Sequence, residues 1–453
     1  MENTQLQRGL KLRHLQLIAL GGVIGSGYFL GTGYVLGKAG PSAILAYLLG
    51  GLIVLSVMMC LGELAVYRPI SSSFITYARD YISPAWACGV GWSYWITWVT
   101  YVPSEMIAAG IIMNKFVPSV DTALWAVLFG LIITLINLFH VEKFGETEFW
   151  LALVKIIALM LFCIVAVVIL FGLAGGEPLG TSVLLGSGGF APEGYWAVLL
   201  TMVIILVNFQ GSEIIGLAAG ESREPARTIP LAIRNVTWRI VGLYMIPLLL
   251  LVSIYPWDQA SLEESVFAAA LTAHGFGWAG DVLAFVVLTA AISCSNSGLY
   301  GCSRALYALS RESMAPAVFG RLDAKGVPRN ATLVSIVACW IGVIAYTLDA
   351  RESLYTTLLA LSGLTGILAW VSICWSQYAM RRQLCRDGKE DELRYRVPFF
   401  PYVTLFGIWA QVVCLVVVAF TEDLRVSLYI GLPVLILPIL WYKVRQNMAA
   451  LLP

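Results

Sequence analysis

The stretch Leu17-Ile18-Ala19-Leu20-Gly21-Gly22-Val23-Ile24-Gly25-Ser26-Gly27-Tyr28-Phe29-Leu30-Gly31 belongs to an apolar segment long enough to cross a membrane, yet glycine interrupts it in the middle. A lipid-facing helix stays continuous, because an unpaired N–H or C=O in hydrocarbon costs several kcal/mol. A break of the same kind recurs at Val207-Asn208-Phe209-Gln210-Gly211-Ser212-Glu213-Ile214-Ile215-Gly216. Gly-interrupted helices at matching places in two halves of a membrane chain point to transport, with the ligand held on loosened backbone near the midplane.

Of 453 residues, 59% are apolar and 12% charged. The apolar residues fall in runs of about 20, the length that spans a ~30 Å hydrocarbon core. The sequence predicts an all-α polytopic membrane protein of twelve spans, at 15–38, 42–67, 86–114, 122–141, 149–173, 193–217, 236–256, 279–309, 331–348, 354–378, 402–420 and 425–444. Basic loops stay cytoplasmic. With the N-terminus inside, that side collects Arg8, Lys11, Arg13, Arg68, Arg79, Lys143, Arg223, Arg227, Arg234, Arg239, Arg311, Arg321, Lys325, Arg329, the run Arg381 to Arg396, Lys443 and Arg445, and the other side keeps Lys38, Lys115, Arg351 and Arg425. Both termini are therefore expected in the cytoplasm, with the protein multi-pass in the cytoplasmic (inner) membrane. The first span is expected to be a retained helix, since no small-residue cleavage site precedes a soluble domain.

The longest polar stretches, 218–235, 310–330 and 380–401, are each too short to bury a core. One membrane transport domain, 1–453, is expected. A Gly-broken span followed by four continuous ones occurs twice, giving repeats at about 15–173 and 193–378 and two additional helices at about 402–444. Five spans per unit make the second enter from the opposite face, the inverted repeat associated with alternating access. The nine cysteines include no CxxC pair, so neither a disulfide framework nor a metal site is expected. The formal charge of +1 says nothing about partners, because the charges are sorted by side, and no nucleic-acid partner is expected.

Glycine at Gly25 and Gly27, flanking Ser26, lets consecutive amide N–H groups turn toward a bound anion, and the helical half that follows adds its positive dipole end. A carboxylate suits that place; the competing reading is close helix packing through small residues. A break around Asn208 to Gly211 frees carbonyls that suit an ammonium group. Phe209 stands beside it as an aromatic lid or as a packing residue. Glu213 would be costly facing lipid, so it faces the interior, either to contact substrate or to hydrogen-bond the unwound first span. Glu105, in the third span, either faces the substrate, relays protons or bonds a neighbouring helix. Lys155 lies about six residues into the fifth span, roughly 9 Å along a helix, a depth from which snorkelling to the surface is easy. Ser293, Ser295, Asn296 and Ser297 form a polar cluster in the eighth span, for substrate contact or for holding helices together.

The two broken segments, with Leu61-Gly62-Glu63-Leu64, Phe149-Trp150-Leu151-Ala152-Leu153-Val154-Lys155, Leu288-Thr289-Ala290-Ala291 through Asn296-Ser297-Gly298, Gly326-Val327-Pro328-Arg329-Asn330 and Tyr395-Arg396-Val397-Pro398-Phe399-Phe400-Pro401, resemble amino acid permeases of the amino acid–polyamine–organocation superfamily. The bacterial amino acid transporter family is most similar, and the likeness runs from about residue 8 to the end. It implies a leucine-transporter-type fold that carries amino acids inward with protons and needs no cofactor. It places the substrate carboxylate at Gly25, Ser26 and Gly27, and the α-ammonium at the carbonyls of Ile24, Asn208 and Gln210. It also makes Lys155 the proton-coupling group, standing where sodium-coupled relatives bind the ion. Gln210 is shared with lysine-type relatives, which keeps a cationic substrate open beside a neutral or aromatic one. Exchange in place of net uptake, and a transport-inactive sensor, are the competing functions. No nucleophile–base pair supports an enzyme. The expected partners are amino acid, protons and lipid, in a monomer or weak homodimer.

Overall fold

The computed structural model describes residues 24–70, 72–139, 144–173, 175–186, 188–214, 216, 230–231, 235, 240–262, 264–323, 326–348 and 352–451. Gly21, Gly22 and Val23, the basic residues before them, Lys143, Arg223 and Arg227 lie outside the described residues. Every regular element described is helical.

Ile24 and Gly25 are non-helical, and after them the chain makes one π turn, Gly27–Gly31, before α1, Thr32–Ala39. Gly40, at φ 58°, and Pro41 then reverse it into α2, Ala43–Tyr67; only glycine adopts such a φ without strain. The short α3, Ser73–Tyr81, leads to α4, Pro84–Phe116. Ser83 caps α4 by accepting from the Trp86 N–H at 3.2 Å, and Pro84 follows at the first position, where its missing N–H costs nothing. Then come α5, Thr122–Phe139, α6, Phe144–Leu170, and the one-turn α7, Ser182–Gly186.

The predicted span 193–217 is not one helix. It is divided into α8, Trp196–Leu200, α9, Met202–Val207, and turns from Asn208 to Glu213, where Gly211 takes φ 99°. A π turn, Ile240–Met245, opens α10, Ile246–Ile254. The remaining helices are α11, Val266–Ala273, α12, Gly277–Arg311, α13, Arg329–Leu348, α14, Glu352–Arg386, α15, Tyr402–Val418, and α16, Arg425–Leu451. Among the described residues, each predicted span overlaps a helix or a broken helix. Among the described residues, seven are long and apolar enough to cross a membrane. α14 and α16 run past their predicted ends at 378 and 444, while α3, α7 and α11 were not expected.

The centre of the bundle is the pair α4 and α12. A Cβ on Gly298 would lie 2.8 Å from both Trp98 and Val102, so only glycine lets the two backbones come this close. Outward faces stay apolar: Trp150, Val337, Ile341, Trp409 and Leu437 are all more than 60% exposed, as lipid-facing side chains are. Charged groups collect at the ends. Arg68 and Arg79 pair with Asp80, Arg79 also with Glu312, and Arg396 with Asp391 at one end. Lys38–Asp423 and Lys115–Glu264 stand at the other.

Candidate functional site

Ile24 and Gly25 are out of the helix, and the Ser26 N–H next to them donates to Glu105 Oε2 of α4, at 3.1 Å. A carboxylate therefore already occupies one of the backbone donors expected to hold an anion, and it belongs to the protein. The fit is close. A Cβ on Gly25 would lie 2.3 Å from Tyr101 Oη and 2.6 Å from Glu105 Oε1, and one on Gly27 would lie 2.9 Å from Asn208 Oδ1. Glu105 Oε1 faces Tyr101 Oη, and Asn208 Oδ1 is buried with no hydrogen-bond partner among the described residues, so two acceptors flank the unwound segment. A buried oxygen in the state of Asn208 Oδ1 is costly and calls for a donor.

On the other side of that segment, Lys155 of α6 is fully buried and does not snorkel to the surface. Its Nζ donates to the Ile24 carbonyl at 3.0 Å and to Ser293 Oγ at 2.9 Å. The carbonyl that helix breakage frees in the first span is thus held by an internal ammonium.

The second break is braced from several directions. Glu213 accepts from the Gly211 N–H through both oxygens, at 3.2 and 3.1 Å, from Tyr94 Oη at 2.8 Å and from Trp370 Nε1 at 3.1 Å. Its bonds go to its own broken helix and to α4 and α14, while the first span's backbone N–H at Ser26 is met by Glu105. The Asn208 carbonyl accepts from Tyr244 Oη at 2.8 Å, and the Asn208 amide donates to Tyr47 Oη at 2.6 Å. Phe209 packs with Tyr47 and Tyr244, ring centroids 6.1 and 4.6 Å away, in the wall formed by α2 and the π turn before α10. Gln210 spends its amide on α14, donating to the Ser362 and Gly363 carbonyls at 3.1 and 3.4 Å and accepting from Ser362 Oγ at 3.1 Å. Ile24, Gly25, Ser26, Gly27, Glu105, Lys155 and Asn208 therefore converge, whereas the side chains of Phe209, Gln210 and Glu213 are directed into neighbouring helices.

Asn296 belongs to a third group. Its amide donates to Glu148 Oε1 at 3.3 Å and its oxygen accepts from Asn137 Nδ2 at 3.0 Å. Glu148, fully buried near the start of α6, also accepts from Ser293 Oγ at 2.6 Å. Sequence reading passed over Glu148, although seven residues separate it from Lys155, two helical turns that place both on one face.

A model of the amino acid permease family matches residues 14–450. The chain belongs to that family. This permease is 40% identical over 444 residues to the amino-acid permease RocC of Bacillus subtilis, covering 97% of this chain and 94% of the relative. It is 37% identical over 460 residues to the lysine-specific permease LysP of Escherichia coli, covering 96% and 93%. To the gamma-aminobutyric acid permease of Bacillus subtilis it is 38% identical over 424 residues, covering 93% and 89%. The crystal structure of a manganese transporter from Eremococcus coleocola matches it at TM-score 0.59 over 98% of this chain and 99% of the other, with 12% identity. That likeness is one of fold, and the fold is the leucine-transporter type.

Proposed function

We propose that this permease imports an L-amino acid across the cytoplasmic membrane by proton symport with alternating access. The observation that carries the reading is the carboxylate of Glu105 on the Ser26 N–H. A substrate α-carboxylate has the same chemistry and takes the same donors at Gly25 to Gly27, so its arrival releases Glu105 from Ser26. The substrate ammonium then supplies donors to Glu105, released from Ser26, and to Asn208 Oδ1. Lys155 touches the Ile24 carbonyl next to this site, so a change in its protonation alters the backbone that the substrate binds. In this reading Lys155 is the coupling group and Glu105 a substrate ligand. Relatives named as permeases for lysine and for gamma-aminobutyric acid support an amino-group-bearing substrate.

The test is radiolabelled amino acid uptake into proteoliposomes, with and without an imposed inward proton gradient, in competition with each of the twenty amino acids. Gradient-driven accumulation is expected, with esters and N-acetyl derivatives competing at least tenfold worse, about 1.4 kcal/mol. Equal competition by amino acid amides overturns the carboxylate site. Flux that requires internal amino acid and ignores the gradient identifies an exchanger, and binding without flux identifies a sensor.

A further inference from the structure

We propose that Glu148 is the group to which Lys155 passes its proton, through the hydroxyl of Ser293. The proposal rests on the proton-coupled reading of Lys155 given above. Ser293 Oγ lies between the two ionisable groups, accepting from Lys155 Nζ at 2.9 Å and donating to Glu148 Oε2 at 2.6 Å. Both hydrogen bonds already run in the direction a transfer needs. An N–H bond of the ammonium breaks as an O–H bond forms on Ser293, and the original Ser293 O–H breaks as an O–H bond forms on Glu148. The products are a neutral amine, an intact serine hydroxyl and a neutral carboxylic acid.

The pair is neutral before and after this step, so no lone charge is created in the dry interior, where one is expensive. Glu148 is prepared to receive the proton and to let it go. Asn296 donates to its second oxygen and is itself held by Asn137 of α5, so the carboxylate keeps its orientation. Glu148 stands four residues from the start of α6, about 6 Å along the axis, on the cytoplasmic side of Lys155 in the orientation set by the basic loops. The other titratable groups around Lys155 are Cys294 of α12, with Sγ 4.0 Å from Nζ, and Glu105 and Tyr101 of α4. Glu105 is engaged with Ser26 at the substrate side. A serine hydroxyl linking the ammonium to a buried acid on the cytoplasmic side supplies a direction: protonation with substrate, release toward the cell interior.

The test uses the purified full-length permease in proteoliposomes containing a pH-sensitive dye, with the amino acid that the competition series identifies. Glu148→Gln and Ser293→Ala are each expected to lower gradient-driven accumulation and substrate-dependent internal acidification at least tenfold. Counterflow, which needs no net proton movement, is expected to persist, and Ser293→Thr, which keeps the hydroxyl, should retain coupled uptake. Wild-type accumulation and acidification in Glu148→Gln or Ser293→Ala overturn the relay. Loss of counterflow together with accumulation, in Ser293→Ala and Ser293→Thr alike, overturns it in favour of a packing role. Wild-type uptake that ignores the proton gradient overturns the coupling reading itself, and is seen before any variant is compared.

Discussion

At the scale of single residues, the site depends on what is missing from Gly25. A methyl group there would meet Tyr101 Oη and Glu105 Oε1 well inside contact distance, and both groups come from α4, whose backbone is locked against α12. Gly25→Ala is therefore expected to displace Glu105 from the Ser26 N–H and to weaken substrate binding at least tenfold, while the protein still inserts. Equilibrium binding of radiolabelled amino acid to purified protein checks this, and unchanged affinity would remove the carboxylate site from Gly25. Lys155 gives a second residue-scale prediction. An arginine cannot shed its proton, and its planar fork does not match the single-point contacts with the Ile24 carbonyl and Ser293 Oγ. Lys155→Ala and Lys155→Arg are both expected to lose accumulation under a proton gradient, and wild-type-like concentrative uptake by Lys155→Arg would rule out the coupling role.

At the scale of elements, the second break persists because one side chain replaces the lost helical bonds. Glu213 meets four hydrogen bonds with oxygen acceptors: two from the Gly211 N–H, one from Tyr94 and one from Trp370. Glu213→Gln turns one of those acceptors into a donor facing donors, a mismatch of about 1–3 kcal/mol. A lowered melting temperature in detergent is expected, and an unchanged melt would show that Gly211 is held by something else. Both breaks were legible in the sequence because glycine and asparagine within apolar spans have a backbone cause. The directions of Phe209 and Gln210 were not, because in a turn the side-chain vector no longer follows helical periodicity, and their partners lie on α2, α14 and the π turn before α10. Glu148 went unread for a related reason: its meaning comes from Ser293, 145 residues away on α12. The extra helices α3, α7 and α11 are short pieces in the connections, below the length that apolar periodicity reveals.

At the scale of the whole molecule, the orientation and the attachment of the last two helices are open to direct measurement. Cys385, at the end of α14, is the exposed one of the nine cysteines. A membrane-impermeant maleimide is expected to reach it from the cytoplasmic face, and labelling from outside intact cells would invert the topology. The attachment of α15 includes Glu63 of α2, whose side chain is fully buried. It accepts from Arg381 Nη1 at 2.6 Å and Gln377 Nε2 at 2.8 Å on α14, and from the Val397 N–H at 2.5 Å in the connection to α15. Gln377 in turn accepts from Thr404 Oγ1 of α15 at 2.8 Å, so one carboxylate fastens α2, α14 and α15 together. Removing one partner of a buried pair strands the other charge, typically at ~3–5 kcal/mol, whereas replacing both with apolar groups of similar volume is often neutral. Glu63→Leu and Arg381→Met are therefore expected each to lower the melting temperature, and the double variant to recover part of the loss. The Val397 N–H loses its acceptor in every variant that lacks Glu63, so recovery stays incomplete. Additive losses in the double variant would show that the two residues act separately.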